Sequence, residues 1–516
     1  MIPANSAATG MSFNERKVEG MDRRQFIAGT GAALAAAQAV PGVNLLAQAA
    51  PKKNAPMIGI QIGAVSFRDE GTDAVIEECQ RDAFVNTLFV AAFTYGRGIA
   101  GRQIPGQPLP DHGKQQYDKD TFVGGCYTNY DRKYFADTTL KEFRAPDFGD
   151  YDVLEDVIPK AKKRGVKTIA WFEDVMGKNL PGIKPMQDVN LQGEKISTMN
   201  FNAPGYRAWI LGMVENWTRN YDLDGIMWGS ERQGPLSNAL GASHGDPRLS
   251  EVCDFSESTI AKAKAQGINA DRAKKGYEEL EKFVTASRKG VRPTDGYYVM
   301  LWRLMLKYPE LLAWEALWTQ SLRETQKAVY DKVKSIKLEM GVGWHIWHNN
   351  SFNPIYRAEQ DYAEMAPYSD FLKVVIYQNC AGERMVDYIN SVGATYFADV
   401  PKQELLDFHY RVLDYGPEAD MAHLAATGFS ADYVFRETKR AKQDLAGTKT
   451  QLWPGIDVDI PTGPGSAKGT PAMTKQVVEA AFKGGADGVL ISRKYSEMKL
   501  ADLRAVGDAL RSMNMA

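Results

Sequence analysis

The chain has 516 residues, 44% of them hydrophobic and 24% charged, which excludes wholesale disorder and supplies a large core. Lys and Arg number 62 against 64 Asp and Glu, a formal charge of -2, so nothing signals the basic face that duplex nucleic acid requires. The four cysteines (Cys79, Cys126, Cys253, Cys380) include no CxxC pair, which argues against a disulfide scaffold and against structural zinc.

In chain order, the first element is an address. Met21-Asp22-Arg23-Arg24-Gln25-Phe26-Ile27 sets paired arginines before an aromatic and an aliphatic residue, and a weakly apolar Ala/Gly-rich stretch follows to Ala50. Ala47-Gln48-Ala49 fits the small-x-small pattern of signal-peptidase cleavage. These features resemble a twin-arginine export signal. They predict that residues 1–49 are removed, that residues 50–516 form a single domain, and that the protein works in the periplasm or beyond. The stretch is too short and too weakly apolar to span a membrane, and no later run reaches 18 uninterrupted apolar residues, so no membrane span is expected.

From residue 57 onward, short apolar runs alternate with helical patterns. The runs read as strands are Ile58–Phe67, Thr87–Tyr95, Lys167–Glu173, Asp224–Gly229, Gly341–Trp347, Phe371–Tyr377, Gln451–Asp459 and Asp487–Ser492. Several lack polar alternation, as strands buried on both faces do. Helical periodicity marks Tyr151–Arg164, Pro204–Tyr221, Pro309–Leu338, Ser430–Leu445 and Pro471–Lys483, with Thr470-Pro471 as a capped start and Gly165, Gly447 and Gly485 as stops. Eight strand-then-helix units predict a (β/α)₈ TIM barrel, with an open doubly wound sheet as the competing topology. Two connections are long, Gly96–Asp150 after the second strand and Glu231–Thr294 after the fourth. In a barrel both rise from the C-terminal face, where binding sites are built.

Polar residues gather at the strand ends. The third ends in Trp171-Phe172-Glu173-Asp174 and the fourth in Trp228-Gly229-Ser230-Glu231. The fifth offers Trp344, His345, Trp347 and His348, the sixth Tyr377-Gln378-Asn379, the seventh Asp457 and Asp459, and the eighth Arg493. A barrel interior keeps such groups when they are paired or used. Two carboxyl groups flanking a sugar are the minimum for glycoside hydrolysis. Glu231 and Asp459 are expected to face each other across the mouth, with Asp457, two residues away on the same strand face, as a buried support. Trp171, Trp228, Trp344 and Trp347 read as platforms for sugar C–H faces. Glu173, His345, His348, Tyr377, Gln378 and Arg493 read as groups that grip hydroxyls. A structural ion pair from one of the two aspartates to Arg493 or Lys494 is the plainer alternative.

The order of elements resembles the clan-A glycoside hydrolases, and more closely a set of exported bacterial proteins with glycosidase-like barrels. The carriers are YDVLEDVIPKAKKRGVKTIAWFED, DGIMWGSE, CDFSESTIAKAKAQGI, WPGIDVDIPTG and VLISRKYSEM. The resemblance implies a carbohydrate substrate, no cofactor, and a general acid/base at Glu231 after the fourth strand. The family's Asn before that residue is Ser230 here, and its seventh-strand Glu is replaced by Asp. Two other functions fit the same barrel. One is a sugar isomerase or epimerase with Mn²⁺ or Mg²⁺ on Glu173, Glu231 and a histidine; the other is a carbohydrate-binding barrel without catalysis. Neither a Walker sequence nor a GxGxxG turn follows a strand, and no GxSxG elbow occurs, so nucleotide cofactors and a serine nucleophile have no support.

Overall fold

The computed structural model describes residues 55–118, 121–177, 179–244 and 249–516; the expected export signal lies outside them. Parallel strands close a barrel: β1 (Met57–Gly63), β2 (Thr87–Thr94), β3 (Lys167–Glu173), β4 (Gly225–Gly229), β5 (Gly341–Ile346), β6 (Phe371–Ile376), β7 (Gln451–Leu452 and Gly455–Asp457) and β8 (Gly488–Ser492). Pairing of β1 with both β2 and β8 shuts the ring, so the fold is the (β/α)₈ barrel and not an open sheet. The strands are dominated by β-branched and aromatic residues and carry little polar alternation because helices cover their outer face; β2 is buried at every position.

The covering helices follow from their apolar stripes. In α1 (Val153–Lys163), Leu154, Val157, Ile158 and Ala161 face the barrel, and the Asp152 carboxylate caps the N–H groups of Leu154 and Glu155. After β3 comes α2 (Pro204–Asn220). The insertion after β4 carries α3 (Pro235–Leu240), α4 (Glu257–Ala265), α5 (Ala270–Arg288) and α6 (Tyr297–Lys307) before the long α7 (Glu310–Ile336). Beyond β5 stands the short α8 (Pro354–Glu359). Beyond β6 stand α9 (Gln378–Val392), α10 (Lys402–Val412) and α11 (Ala431–Asp444). The last two units supply α12 (Pro471–Lys483), capped by Thr470, and α13 (Leu500–Ser512). Gly165, Gly447 and Gly485 take the left-handed conformation expected of helix stops.

Two strands differ from expectation. The first ends at Gly63, not Phe67, and there the Ala100 backbone packs so closely that a Cβ on Gly63 would sit 2.8 Å from its carbonyl oxygen. Residues Ala64–Glu70 turn into a helix whose buried start reads like more strand. The seventh is interrupted at Trp453-Pro454, where proline has no N–H for the ladder, and it ends at Asp457.

The inward residues fill the barrel from below. Phe371 stacks on Trp453 with ring centroids 4.0 Å apart, and Phe89 meets both edge-on. The insertion after β2 reaches the ends of β1 and β8, where the Lys494 ammonium and the Ser496 hydroxyl donate to the carbonyls of Arg97 and Gly101.

Candidate active site

One row of side chains crosses four neighbouring strands at the barrel's C-terminal end. Register pairs Glu173 with Gly229, Gly229 with His345, and His345 with Lys373, so all four positions project inward at one level. The glycine is a steric requirement. A Cβ on Gly229 would lie 3.0 Å from Glu173 Cγ and 3.1 Å from His345 Cβ, so only its absence lets the two close over β4. Gly455 does the same for Lys373, whose Cε occupies the space a Cβ would take.

Glu231, two residues past β4, hangs over this row with its side chain 40% exposed, while that of Glu173 is 3% exposed. His345 bridges them: Nε2 lies 3.0 Å from Glu231 Oε1 in an oblique contact, and Nδ1 lies 3.6 Å from Glu173 Oε1. Lys373 Nζ donates to Tyr377 Oη at 2.7 Å and sits 3.3 Å from His345 Nδ1. An Nδ1 that accepts from Lys373 leaves the imidazole proton on Nε2, facing Glu231.

Electrostatics separates the two acids. Burial, reinforced by the negative charge of Glu231, pushes Glu173 well above the usual carboxylate range, with Lys373 opposing. For Glu231 partial burial works in the same direction, but the His345 contact and the charges of Arg384 and Lys373 outweigh it and hold the group at about 2. Burial and Lys373 lower His345 to about 4, so the ring is neutral at pH 7. Burial brings Lys373 down to about 7 against the pull of both glutamates. Burial thus favours the neutral form of Glu173, while its contacts favour the ionised form of Glu231. Two carboxyl groups with separated pKa values are the usual arrangement for acid and base roles.

Other residues named from sequence lie elsewhere. Asp457 is buried at the end of β7, accepting from the N–H groups of Cys380 (3.3 Å) and Ile460 (3.2 Å), and burial raises it to about 6. Asp459 does not share its face as expected. Its backbone is left-handed (φ 55°), and its carboxylate accepts from the Lys499 N–H at 2.8 Å and hydrogen-bonds Asp502. The ion pair foreseen to Arg493 or Lys494 forms with Glu497 instead.

The tryptophans need correction as platforms. Trp228 and Trp344 point outward, edge to face with each other at 6.2 Å; Trp228 stacks on Phe172, and Trp344 donates to Ser369. Trp171 is buried inside the barrel below Glu173, and Trp347 is packed against His244 and Tyr356. His348 is fully buried between Arg384 (2.8 Å) and Tyr433 (3.4 Å), outside the row. Gln378 and Asn379 open α9 directly above β6, and no side-chain amide atom of either has a hydrogen-bond partner among the described residues.

Lys373 and Arg384 were not anticipated. A lysine inside the apolar run Phe371–Ile376 is the available signal, since a buried strand keeps a charge only for pairing or use. Arg384, in the second turn of α9, has no comparable mark.

No family model matches the sequence, and no curated protein matches it. Solved structures with similar chain course include the polyextremophilic β-galactosidase of the Antarctic haloarchaeon Halorubrum lacusprofundi, at 14% identity and a TM-score of 0.48, covering 89% of this chain and 57% of that one. The glycoside hydrolase domain of PgaB (BpsB) from Bordetella bronchiseptica is similar at 11% identity and 0.44, covering 89% and 98%. The α-L-fucosidase isoenzyme 2 of Paenibacillus thiaminolyticus is similar at 11% identity and 0.42, covering 89% and 49%. The chain thus spans about half the length of the fucosidase. At this identity the likeness concerns chain course alone.

Proposed function

We propose that the protein is an exported glycoside hydrolase working in the barrel mouth. The observation that carries this reading is the carboxyl pair: oxygens of Glu173 and Glu231 lie within 4.8 Å of each other, one group buried and pushed toward its neutral form, the other 40% exposed and held toward its ionised form. In the proposed reaction Glu173 gives its proton to the leaving oxygen as the glycosidic C–O bond breaks, Glu231 offsets the positive charge that develops at the anomeric carbon, and a water then adds to that carbon and returns its proton to Glu173. The unpartnered amides of Gln378 and Asn379 support a hydroxyl-rich ligand, because buried polar groups are costly unless something completes them. Asp457, its oxygens engaged by backbone N–H groups, is assigned to support of the mouth, and the second working carboxyl passes from the seventh strand to Glu173. Residues 50–516 act as one catalytic domain after export.

The test is turnover of a panel of aryl glycosides and of plant and algal oligosaccharides by the purified mature chain. Hydrolysis of at least one, lost in Glu231→Gln, is expected. Sugar binding without turnover anywhere on the panel would replace this reading by the binding barrel.

One observation favours a second reading. A ligand atom each from Glu173, Glu231 and His345 lies within 4.8 Å of the others, a spacing that also suits a divalent cation. Stoichiometric metal in purified protein, with aldose–ketose interconversion abolished by chelation, would establish the isomerase instead.

A further inference from the structure

The outer wall of the barrel carries a second cavity, of about 1030 Å³, bounded by α3, α6, α7, α8 and α10. Its walls are apolar: Leu240, Leu301, Trp302, Met305, Tyr396 and Phe408 line it, and none of the residues of the barrel mouth does. Helix α6 shows why the cavity stays open. Tyr297, Leu301 and Leu304 pack inward, yet Tyr298, Trp302 and Leu306 on the same helix remain exposed, so α6 is apolar nearly all round with only part of its surface covered.

Polar groups break the lining at one place. Glu315 of α7 and Glu359 at the end of α8 are both more than nine-tenths buried and hydrogen-bond each other through their carboxyl groups. Glu315 Oε2 also accepts from the Leu236 N–H at 2.7 Å. Beyond that shared contact, Glu315 Oε1 and both oxygens of Glu359 find no donor among the described residues. The Thr319 and Tyr368 hydroxyls and Arg323 Nε, which border the same cavity, are likewise unpartnered. The remaining guanidinium nitrogens of Arg323 are taken by the Glu359 carbonyl and the Glu364 carboxylate. Native proteins rarely leave so many buried polar atoms uncompleted in one spot, and here they meet at the wall of an apolar groove of ligand size.

We propose that this groove binds an amphiphile whose apolar body lies along α6 and α7 and whose head, an amine or a hydroxyl group, donates to the Glu315–Glu359 pair. A carboxyl–carboxyl hydrogen bond holds one proton, on the Glu359 side, so the pair keeps the Glu315 charge and free acceptor oxygens; an amine or alcohol head fits them, and the Arg323 charge that a carboxylate head would need is already paired with Glu364. The site is independent of the glycosidase reading and stands or falls by itself.

Isothermal titration with decylamine, decanol and decanoate, each below its micelle concentration, tests it. Decylamine and decanol should bind one per chain and raise the melting temperature, and decanoate should bind at least tenfold more weakly than decylamine. Glu315→Gln should weaken decylamine at least tenfold while leaving decanol within threefold. Ala316→Trp, which fills the groove from an exposed position on α7, should abolish both with the circular dichroism unchanged. Three results would overturn the proposal: no binding of either ligand to wild type, decanoate binding as tightly as decylamine, or a wild-type dimer that Ala316→Trp converts to monomer, which would assign the groove to a second copy of the chain.

Discussion

Glu173 and Glu231 face opposite nitrogens of one imidazole: His345 Nδ1 lies 3.6 Å from the first and Nε2 lies 3.0 Å from the second. The ring couples the two acids while keeping them on separate environments, a dry strand end and an open mouth. Their opposite pKa shifts follow from that placement together with the charges of Lys373 and Arg384.

The pH profile should report this coupling. The proposed reaction needs Glu231 ionised and Glu173 protonated, so its alkaline limb should follow Glu173. Lys373 lowers Glu173, so Lys373→Met should move the alkaline limb of kcat/KM to higher pH. A limb that stays in place, or moves down, would detach Lys373 from the acid.

Stability gives an independent reading of the same lysine. Its folded pKa of about 7 lies below the ordinary 10.5, so between those values the unfolded chain binds more protons than the folded one. Its contribution to stability therefore rises with pH across that window, and the penalty is full below pH 7. Lys373→Met should be more stable than wild type at pH 6, by about 1–4 kcal/mol, with the difference shrinking toward pH 10. Urea unfolding at the two pH values measures it.

Gly229→Ala should separate catalysis from folding. The added methyl presses on Glu173 and His345 at 3.0–3.1 Å, so the row must spread by a few tenths of an ångström or more. A loss of about 10²-fold in kcat/KM with a melting temperature within a few degrees of wild type is expected, because misplacement costs chemistry more than packing. Unchanged kinetics would mean that the spacing of the row does not matter.

Export is tested in cells. Replacing Arg23 and Arg24 by Lys should leave precursor in the cytoplasm, and the exported form should begin near Ala50. Unaltered secretion of the double variant would remove the twin-arginine reading.

Glu173, Glu231 and His345 were legible because each stands at the end of an apolar run, where a barrel places its chemistry. Lys373 was not, since it lies in mid-strand and only the parallel register of β5 with β6 sets it beside His345. The tryptophans misled for a related reason. Strands buried on both faces lack alternation, so nothing in the runs around Trp228 and Trp344 tells the inward face from the outward one. Asp459 was misplaced because the strand breaks at Pro454 and ends at Asp457, after which period-2 reasoning no longer applies. The apolar groove on α6 and α7 depends on how inserted helices pack, which periodicity does not specify.

Leaving-group dependence distinguishes the roles proposed for the two glutamates. Once a hydrolysed aryl glycoside is known, kcat/KM should be measured for Glu173→Gln and Glu231→Gln over aglycones of graded acidity. Glu173→Gln should lose about 10²–10⁴-fold on poor leaving groups and far less on activated ones, whereas Glu231→Gln should lose activity on all of them. The reverse pattern, or wild-type rates in Glu173→Gln on poor leaving groups, would contradict the assignment of Glu173 as the acid.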